Sequence, residues 1–188
     1  MIDRQIVLAS ASPRRKFLLE QADFEFTINA SDVDETVPDH IPIREAPEFL
    51  AVKKAKACDH QFSGEELILA ADTSVFLNDT ILNKPASESD AKSMLKSMSK
   101  TSHEVITGVA LRHRDTIKSF SCVSKVVFDP LSNDEIEYYI KKYKPMDKAG
   151  AYGIQDWIGW CKISRIEGSY SNIFGLPIRD VYNALKSF

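Results

Sequence analysis

The sequence predicts an α/β fold, a mixed β-sheet flanked by helices, and three observations predict it. Short apolar runs of strand length alternate with stretches of helical spacing through the first half of the chain. Two long strand-like runs then follow one another directly, which breaks the alternation and makes the sheet mixed. Hydrophobic residues make up 44% of the 188 residues and charged residues 27%, enough apolar material for a real core.

In chain order, the apolar run from Gln5 to Ala9 predicts a strand. Pro13 suits the first turn of a helix that runs to about Gln21, with Ser12 as its N-cap. Phe24 to Ile28 alternates and predicts a second strand. Ser31 to Pro42 is acidic, carries two prolines and predicts a loop. Glu45 to Cys58 has helical spacing through Phe49, Val52, Ala55 and Ala57. Leu67 to Leu77 predicts a strand, Asn78-Asp79 a turn, and Ile81-Leu82 the start of the return. Glu88 to Met98 predicts a helix. Val105 to Leu111 and Ile117 to Phe128 predict a hairpin of two long strands. Asn133 to Tyr143 predicts a helix capped by Ser132. Lys148 to Pro177, rich in Gly, Ser, Tyr and Asn, predicts strands and turns, and Arg179 to Lys186 a last helix. With no repeat, low-complexity tract or linker, residues 1–188 are expected to form one domain.

Composition narrows the function classes. The net charge of -3 gives no overall basic field for a long nucleic acid. A small anion remains open, because local clusters can bind one against the global sign. Cys58, Cys122 and Cys161 are far apart and odd in number, which favours a reducing compartment over a disulfide framework. His40, His60, His103 and His113 are scattered, against a zinc site. The apolar N-terminal stretch is too short for a secretory signal, and no run approaches membrane-spanning length. A cytoplasmic protein is expected.

Four clusters could carry chemistry. Ser10-Ala11-Ser12-Pro13-Arg14-Arg15-Lys16 puts three cations in the first turn of a helix, where the helix dipole is already positive. The run is either a solvated basic turn or a dock for an anion on free N–H groups, with arginine forks beside them. Asp32, Asp34 and Glu35, with Lys53 and Lys54 downstream, form either an exposed acidic loop or oxygen ligands for a hard cation. Asp72 sits inside the apolar run Leu67 to Val75, where a carboxylate costs several kcal/mol unless compensated. It is there for a structural hydrogen bond, or to orient a metal and take a proton from water. Thr73 adds a hydroxyl beside it, and Lys84 a mobile positive charge. Last, Lys148 to Gln155 and Gly168 to Asn172 are small-residue runs that permit tight turns and close approach to a ligand. Gln155 carries both a donor and an acceptor for the edge of a base.

Taken together, LASASPRRKFLL, SDVDE, AVKKAKA, LAADTSV, ILNKP, HEVITGVAL, DKAGAYGIQ and GSYSNIFGLP span Leu8 to Pro177 and resemble the Maf family of nucleoside triphosphate pyrophosphatases, also called septum-formation inhibitors. The resemblance implies a Maf/ITPase-like α/β fold with a deep central cleft, often a homodimer. It also implies hydrolysis of a nucleoside triphosphate to the monophosphate and pyrophosphate with a divalent cation, Mg²⁺ or Mn²⁺. Carried over by motif, Asp72 is similar to the proton acceptor, and Glu35 to the acid that helps hold metal or water. Ser10, Ser12, Arg14, Arg15, Lys54 and Lys84 correspond to phosphate-binding positions. Arg14, Thr73 and Gln155 correspond to base-selecting positions of the branch acting on dTTP and UTP, which the KAGAYGIQ run marks. The chain departs from the pattern at Asp156 and Asn83, where glycine is common, and at Ser74, where an apolar residue is usual. A nucleotide-binding regulator without catalysis is the alternative. A single-stranded nucleic-acid binder is disfavoured by the acidic charge, and no membrane role is expected.

Overall fold

A computed structural model describes residues 4–30, 33–58 and 65–188. Ser31, Asp32 and His60, named above, lie outside the described residues. Among those described, seven strands form one sheet, and seven α-helices and three one-turn 3-10 helices accompany it. The chain divides into two compact units: Met1–Thr73 with Thr107–Cys122 and Gly175–Phe188, and Ser74–Ile106 with Val123–Phe174.

The first unit begins with β1 (Ile6–Leu8), α1 (Pro13–Gln21) and β2 (Phe26–Ile28). β1 pairs in parallel with β2 on one side and with β3 (Leu67–Leu77) on the other, Ile6 facing Phe26 and Leu67. All three residues of β1 are buried, as expected for a central parallel strand covered on both faces. Between β2 and β3 runs α2 (Ala46–Ala57), whose buried residues, Leu50 apart, are small: Ala46, Pro47, Ala51 and Ala55. Ala51 and Ala55 pack with Val7, Ala9, Cys58, Ile68, Ala70 and Ala110 into a core of short side chains that lets helix and sheet approach closely. They come close at Gly108, where an added Cβ would stand 2.2 Å from the backbone nitrogen of Glu48. Only glycine fits there. The last helix of the chain, α7 (Ile178–Lys186), completes this unit.

The second unit holds α3 (Glu88–Met98) and α4 (Asn133–Tyr143). Both begin on capping residues. Ser87 accepts from the N–H of Asp90 at 3.1 Å. Ser132 and Glu135 form a reciprocal capping box, and each cap contributes about 1 kcal/mol. Leu95, Met98, Ile136, Tyr139 and Ile140 meet Val75, Val105, Val126, Phe128 and Tyr152 in the core. β4 (Thr80–Leu82) returns antiparallel on β3 after the Asn78-Asp79 turn. Asn78 there adopts a φ of 55°.

The sheet order is β2-β1-β3-β5-β6-β7, with β4 on β3. β5 (Ser102–His113) and β6 (Thr116–Phe128) form the predicted hairpin, longer than the sequence suggests. β7 (Ile163–Glu167) pairs antiparallel with β6. Parallel and antiparallel pairs in one sheet make it mixed, as expected. The Lys148 to Pro177 region differs from expectation. It holds one strand, β7, a 3-10 turn at Ala149–Ala151, and two short helices, α5 (Trp157–Lys162) and α6 (Tyr170–Phe174). Helices of six and five residues show too few turns for a 3.6-residue period to be read. Positive φ at Gly150, Ala151, Gly168 and Gly175 supplies the breaks between them.

Candidate functional site

Asp72 lies on β3 as the apolar run Leu67 to Ala71 ends, and its side chain is 15% exposed. Its compensation comes from α2. Lys54 Nζ is 2.6 Å from Asp72 Oδ1 and 2.7 Å from Glu35 Oε1, with the lysine side chain only 12% exposed. One ammonium thus stands between two carboxylates. A charge-assisted contact this short offsets the desolvation of an acid on an apolar strand. Glu35 is the exposed partner, at 59%. The neighbouring acid Asp34 turns away from this group: it accepts from the N–H and hydroxyl of Thr36 and from Lys53 at 3.3 Å. Those bonds to Thr36, then the one from Lys53, hold its carboxyl below the usual range.

The basic helix start is organised by Arg15. This guanidinium is buried, with Nε donating to the carbonyl of Gly175 at 3.0 Å, Nη1 to Ser10 Oγ at 3.0 Å, and Nη2 to Thr73 Oγ1 at 3.2 Å. Three of its N–H groups therefore serve protein oxygens, and the arginine ties the helix start to β3 and to the segment before α7. Burial pushes its pKa downward, and the charge of Asp72 opposes this.

Ser10 Oγ also accepts from the backbone N–H of Ser12 at 3.2 Å. A hydroxyl has two lone pairs and one proton. With both lone pairs used, the Ser10 proton is the part left to donate, which suits an anion. Ser12 sits at the N-cap position with extended backbone, but its side chain makes no capping bond. The first-turn N–H groups are therefore not closed off by the serine hydroxyl. Arg14 is half-buried beside them. Lys16 pairs with Glu20 at 3.6 Å along the exposed face of α1.

The Thr73 hydroxyl is committed to three neighbours. It accepts from Arg15, shares a hydrogen bond with Thr107 Oγ1 at 2.9 Å, and reaches the Gly175 carbonyl at 3.3 Å. Sequence reasoning missed Thr107 and the Gly175 carbonyl. A threonine inside the apolar run HEVITGVAL was an available signal. The carbonyl carried none.

Lys84 and Gln155 belong to the second unit. Lys84 is exposed on the segment after β4. There the carbonyl of Asn83, the residue where glycine is common, accepts from the N–H of Gly150 at 3.2 Å. Gln155 lies in the turn that leads into α5, and its Oε1 is buried without a hydrogen-bond partner among the described residues. Among the described residues, no group of three or more His, Cys, Asp and Glu could hold a metal ion, and no helix is long and apolar enough to cross a membrane. The three cysteines are free thiols.

Lys54 on α2 is thus paired with Asp72 on β3 and with Glu35 in the loop after β2, and Arg15 joins Ser10 at the helix start to Thr73 beside Asp72: an α/β protein with acids and cations gathered around one strand. The family model for Maf-like proteins matches residues 5–188, and the chain belongs to the Maf family. It is 45% identical over 183 residues to a dTTP/UTP pyrophosphatase of Phocaeicola vulgatus, covering 97% of this chain and 95% of that one. It is 45% identical over 185 residues to a dTTP/UTP pyrophosphatase of Parabacteroides distasonis (98% and 96%). It is 46% identical over 183 residues to one of Bacteroides thetaiotaomicron (97% and 95%).

Proposed function

We propose that this chain is a nucleoside triphosphate pyrophosphatase that hydrolyses dTTP and UTP to the monophosphate and pyrophosphate. The observation that carries the reading is the Asp72–Lys54–Glu35 group, a strand-held acid with its charge balanced by a lysine that also reaches a second acid. The names of the relatives, at about this identity over nearly the whole chain, supply the substrate.

In this reading Asp72 takes a proton from a water directed at the α-phosphorus. The water oxygen bonds to that phosphorus, the bond from it to the bridging oxygen breaks, and pyrophosphate leaves with the electron pair. Lys54, Arg14, Ser12 and the Ser10 hydroxyl hold phosphate oxygens, and Lys84 is assigned to phosphate on its motif alone. Arg15 keeps Ser10 oriented and adds positive charge. Asp72 and Glu35 suit a hard divalent cation, Mg²⁺ or Mn²⁺. Both offer oxygen donors and already bracket a single positive charge, and such ions take their remaining ligands from phosphate and water. When bound, that cation would offset charge on the phosphate oxygens.

Gln155 reads the base. Its Oε1 is an acceptor without a donor. The ring N–H of uracil or thymine supplies one, whereas the corresponding nitrogen of cytosine is itself an acceptor. Thr73 and Arg14 are assigned to base selection on their motifs, Thr73 through the hydroxyl network around it. Three free thiols, one buried, one half-buried and one exposed, fit the cytoplasm, and a homodimer is taken from the family resemblance.

The test is pyrophosphate release from dTTP, UTP, CTP, GTP and methylated GTP with Mg²⁺ or Mn²⁺. Release mainly from dTTP and UTP is expected. Release mainly from a purine nucleotide would overturn the Gln155 assignment, and binding without any release would make the protein a nucleotide-binding regulator.

A further inference from the structure

Asp156 opens α5 at its N-cap position, yet its side chain makes no capping bond. The carboxylate is used elsewhere. Tyr139 donates its hydroxyl proton to Asp156 Oδ2 at 2.6 Å, and the same hydroxyl accepts the backbone N–H of Gly153 at 3.0 Å. The direction is forced, because an N–H can only donate, so the phenol proton must go to the carboxylate. Tyr139 is fully buried in the core, on α4. Burial first, then the bond to Asp156, pushes the phenol's pKa upward, so it stays a donor at any pH the protein meets.

This bridge closes the turn that carries Gln155. Asp156 N–H donates to the Gly153 carbonyl at 3.0 Å, and Trp160 Nε1 donates to the Gln155 carbonyl at 3.0 Å. Space in the turn is fully used. A Cβ added at Gly153 would stand 2.7 Å from Asp156 Oδ2 and 2.8 and 2.9 Å from Gln155 Nε2 and Oε1. The carboxylate and the amide therefore lie over the same α-carbon, within 3 Å of one point. An unrestrained amide could rotate by half a turn and exchange its donor with its acceptor, which would erase the distinction between a ring N–H and a ring nitrogen acceptor.

We infer that Asp156 is a positioning residue for base discrimination: through Tyr139 and the Gly153 N–H it fixes the turn that carries Gln155 and its unpartnered acceptor. The inference rests on the proposed role of Gln155. It gives the residue that departs from the family's usual glycine a specific task, and it makes Tyr139, far from any carried-over motif, part of substrate selection.

The experiment measures kcat and KM for UTP, dTTP and CTP in wild type, Asp156→Ala, Asp156→Asn, Tyr139→Phe and the Asp156→Ala/Tyr139→Phe pair, each checked for cooperative melting. Loss of one such hydrogen bond is expected to cut the preference for UTP over CTP roughly tenfold. The cut should be the same in Asp156→Ala, Tyr139→Phe and the pair, because all break one bridge. It should be carried by KM, with kcat largely kept. Asp156→Asn, which retains an acceptor for the phenol, should restore most of the preference. A folded Asp156→Ala enzyme with wild-type preference, or one losing kcat equally on all three nucleotides, overturns the inference while leaving the role of Gln155 intact. If wild type itself does not separate UTP from CTP, the Gln155 reading falls, and this inference with it. That result is visible before any variant is compared.

Discussion

Lys54 Nζ stands 2.6 Å from Asp72 Oδ1, so the acid at the end of the apolar run of β3 carries its countercharge from a helix eighteen residues earlier in the chain. This pair decides how Asp72 is tolerated. Removing the lysine alone leaves a largely buried carboxylate without this countercharge. Lys54→Met should destabilise the protein by about 1–3 kcal/mol, which for a chain of this size lowers Tm by roughly 2–12 °C. Thermal melts of the variant and wild type check this. An unchanged Tm would mean that the pair contributes nothing net to stability.

Ser10 supplies a second prediction. With its lone pairs held by Arg15 and Ser12, the hydroxyl has only its proton to give. Ser10→Ala should raise KM for dTTP roughly 3- to 10-fold, and because it takes an acceptor from the buried Arg15 it should also cost about 1–3 kcal/mol in stability. Arg15→Lys should cost more, because it loses several bonds at once. An ammonium cannot reach Gly175, Ser10 and Thr73 at once, so a loss of about 2–4 kcal/mol in stability is expected before any kinetic effect is considered. Denaturant unfolding of the two variants separates these outcomes.

His103 gives a pH dependence. It is buried, with Nε2 hydrogen-bonded to Tyr152 OH at 2.7 Å and the ring packed on Phe128. Burial lowers its pKa from 6.5 to about 4. The folded state therefore refuses a proton that the unfolded chain accepts below about pH 6.5. The stability this confers is fully present above that pH, and is lost as pH falls from 6.5 through 4. The loss should reach about 3 kcal/mol. Urea unfolding at pH 7, 5.5 and 4.5 should show the decline, and His103→Gln should flatten that part of it. An equally steep decline in the variant would assign it to other groups.

The bounds of β3, α3 and α4 were legible residue by residue. β3 is a continuous apolar run between turn residues, and α3 and α4 begin on serine caps and repeat their apolar positions at helical spacing. The two short helices α5 and α6 were not legible, because five or six residues hold less than two turns and their polar, small-residue composition resembles that of loops. At the site, the residue types were readable but their partners were not. That Asp72 needed compensation follows from its neighbours in the chain, whereas its partner Lys54 is fixed by how α2 packs on the sheet. Arg15 reads as a cation for a ligand. Its burial and its bond to Gly175, 160 residues away, appear only once the chain is folded. Tyr139 reads as a core aromatic on α4, and nothing local ties it to the turn before α5.

The role of Asp72 as proton acceptor is tested most directly by pyrophosphate release from dTTP and UTP by wild type and by Asp72→Asn under the same metal and pH. Asparagine keeps the size and an oxygen for Lys54, and removes the capacity to take a proton. Wild type should release pyrophosphate, and the variant should show a drop of roughly 10²–10⁴-fold with its fold retained. Normal turnover by a folded Asp72→Asn enzyme would contradict that role.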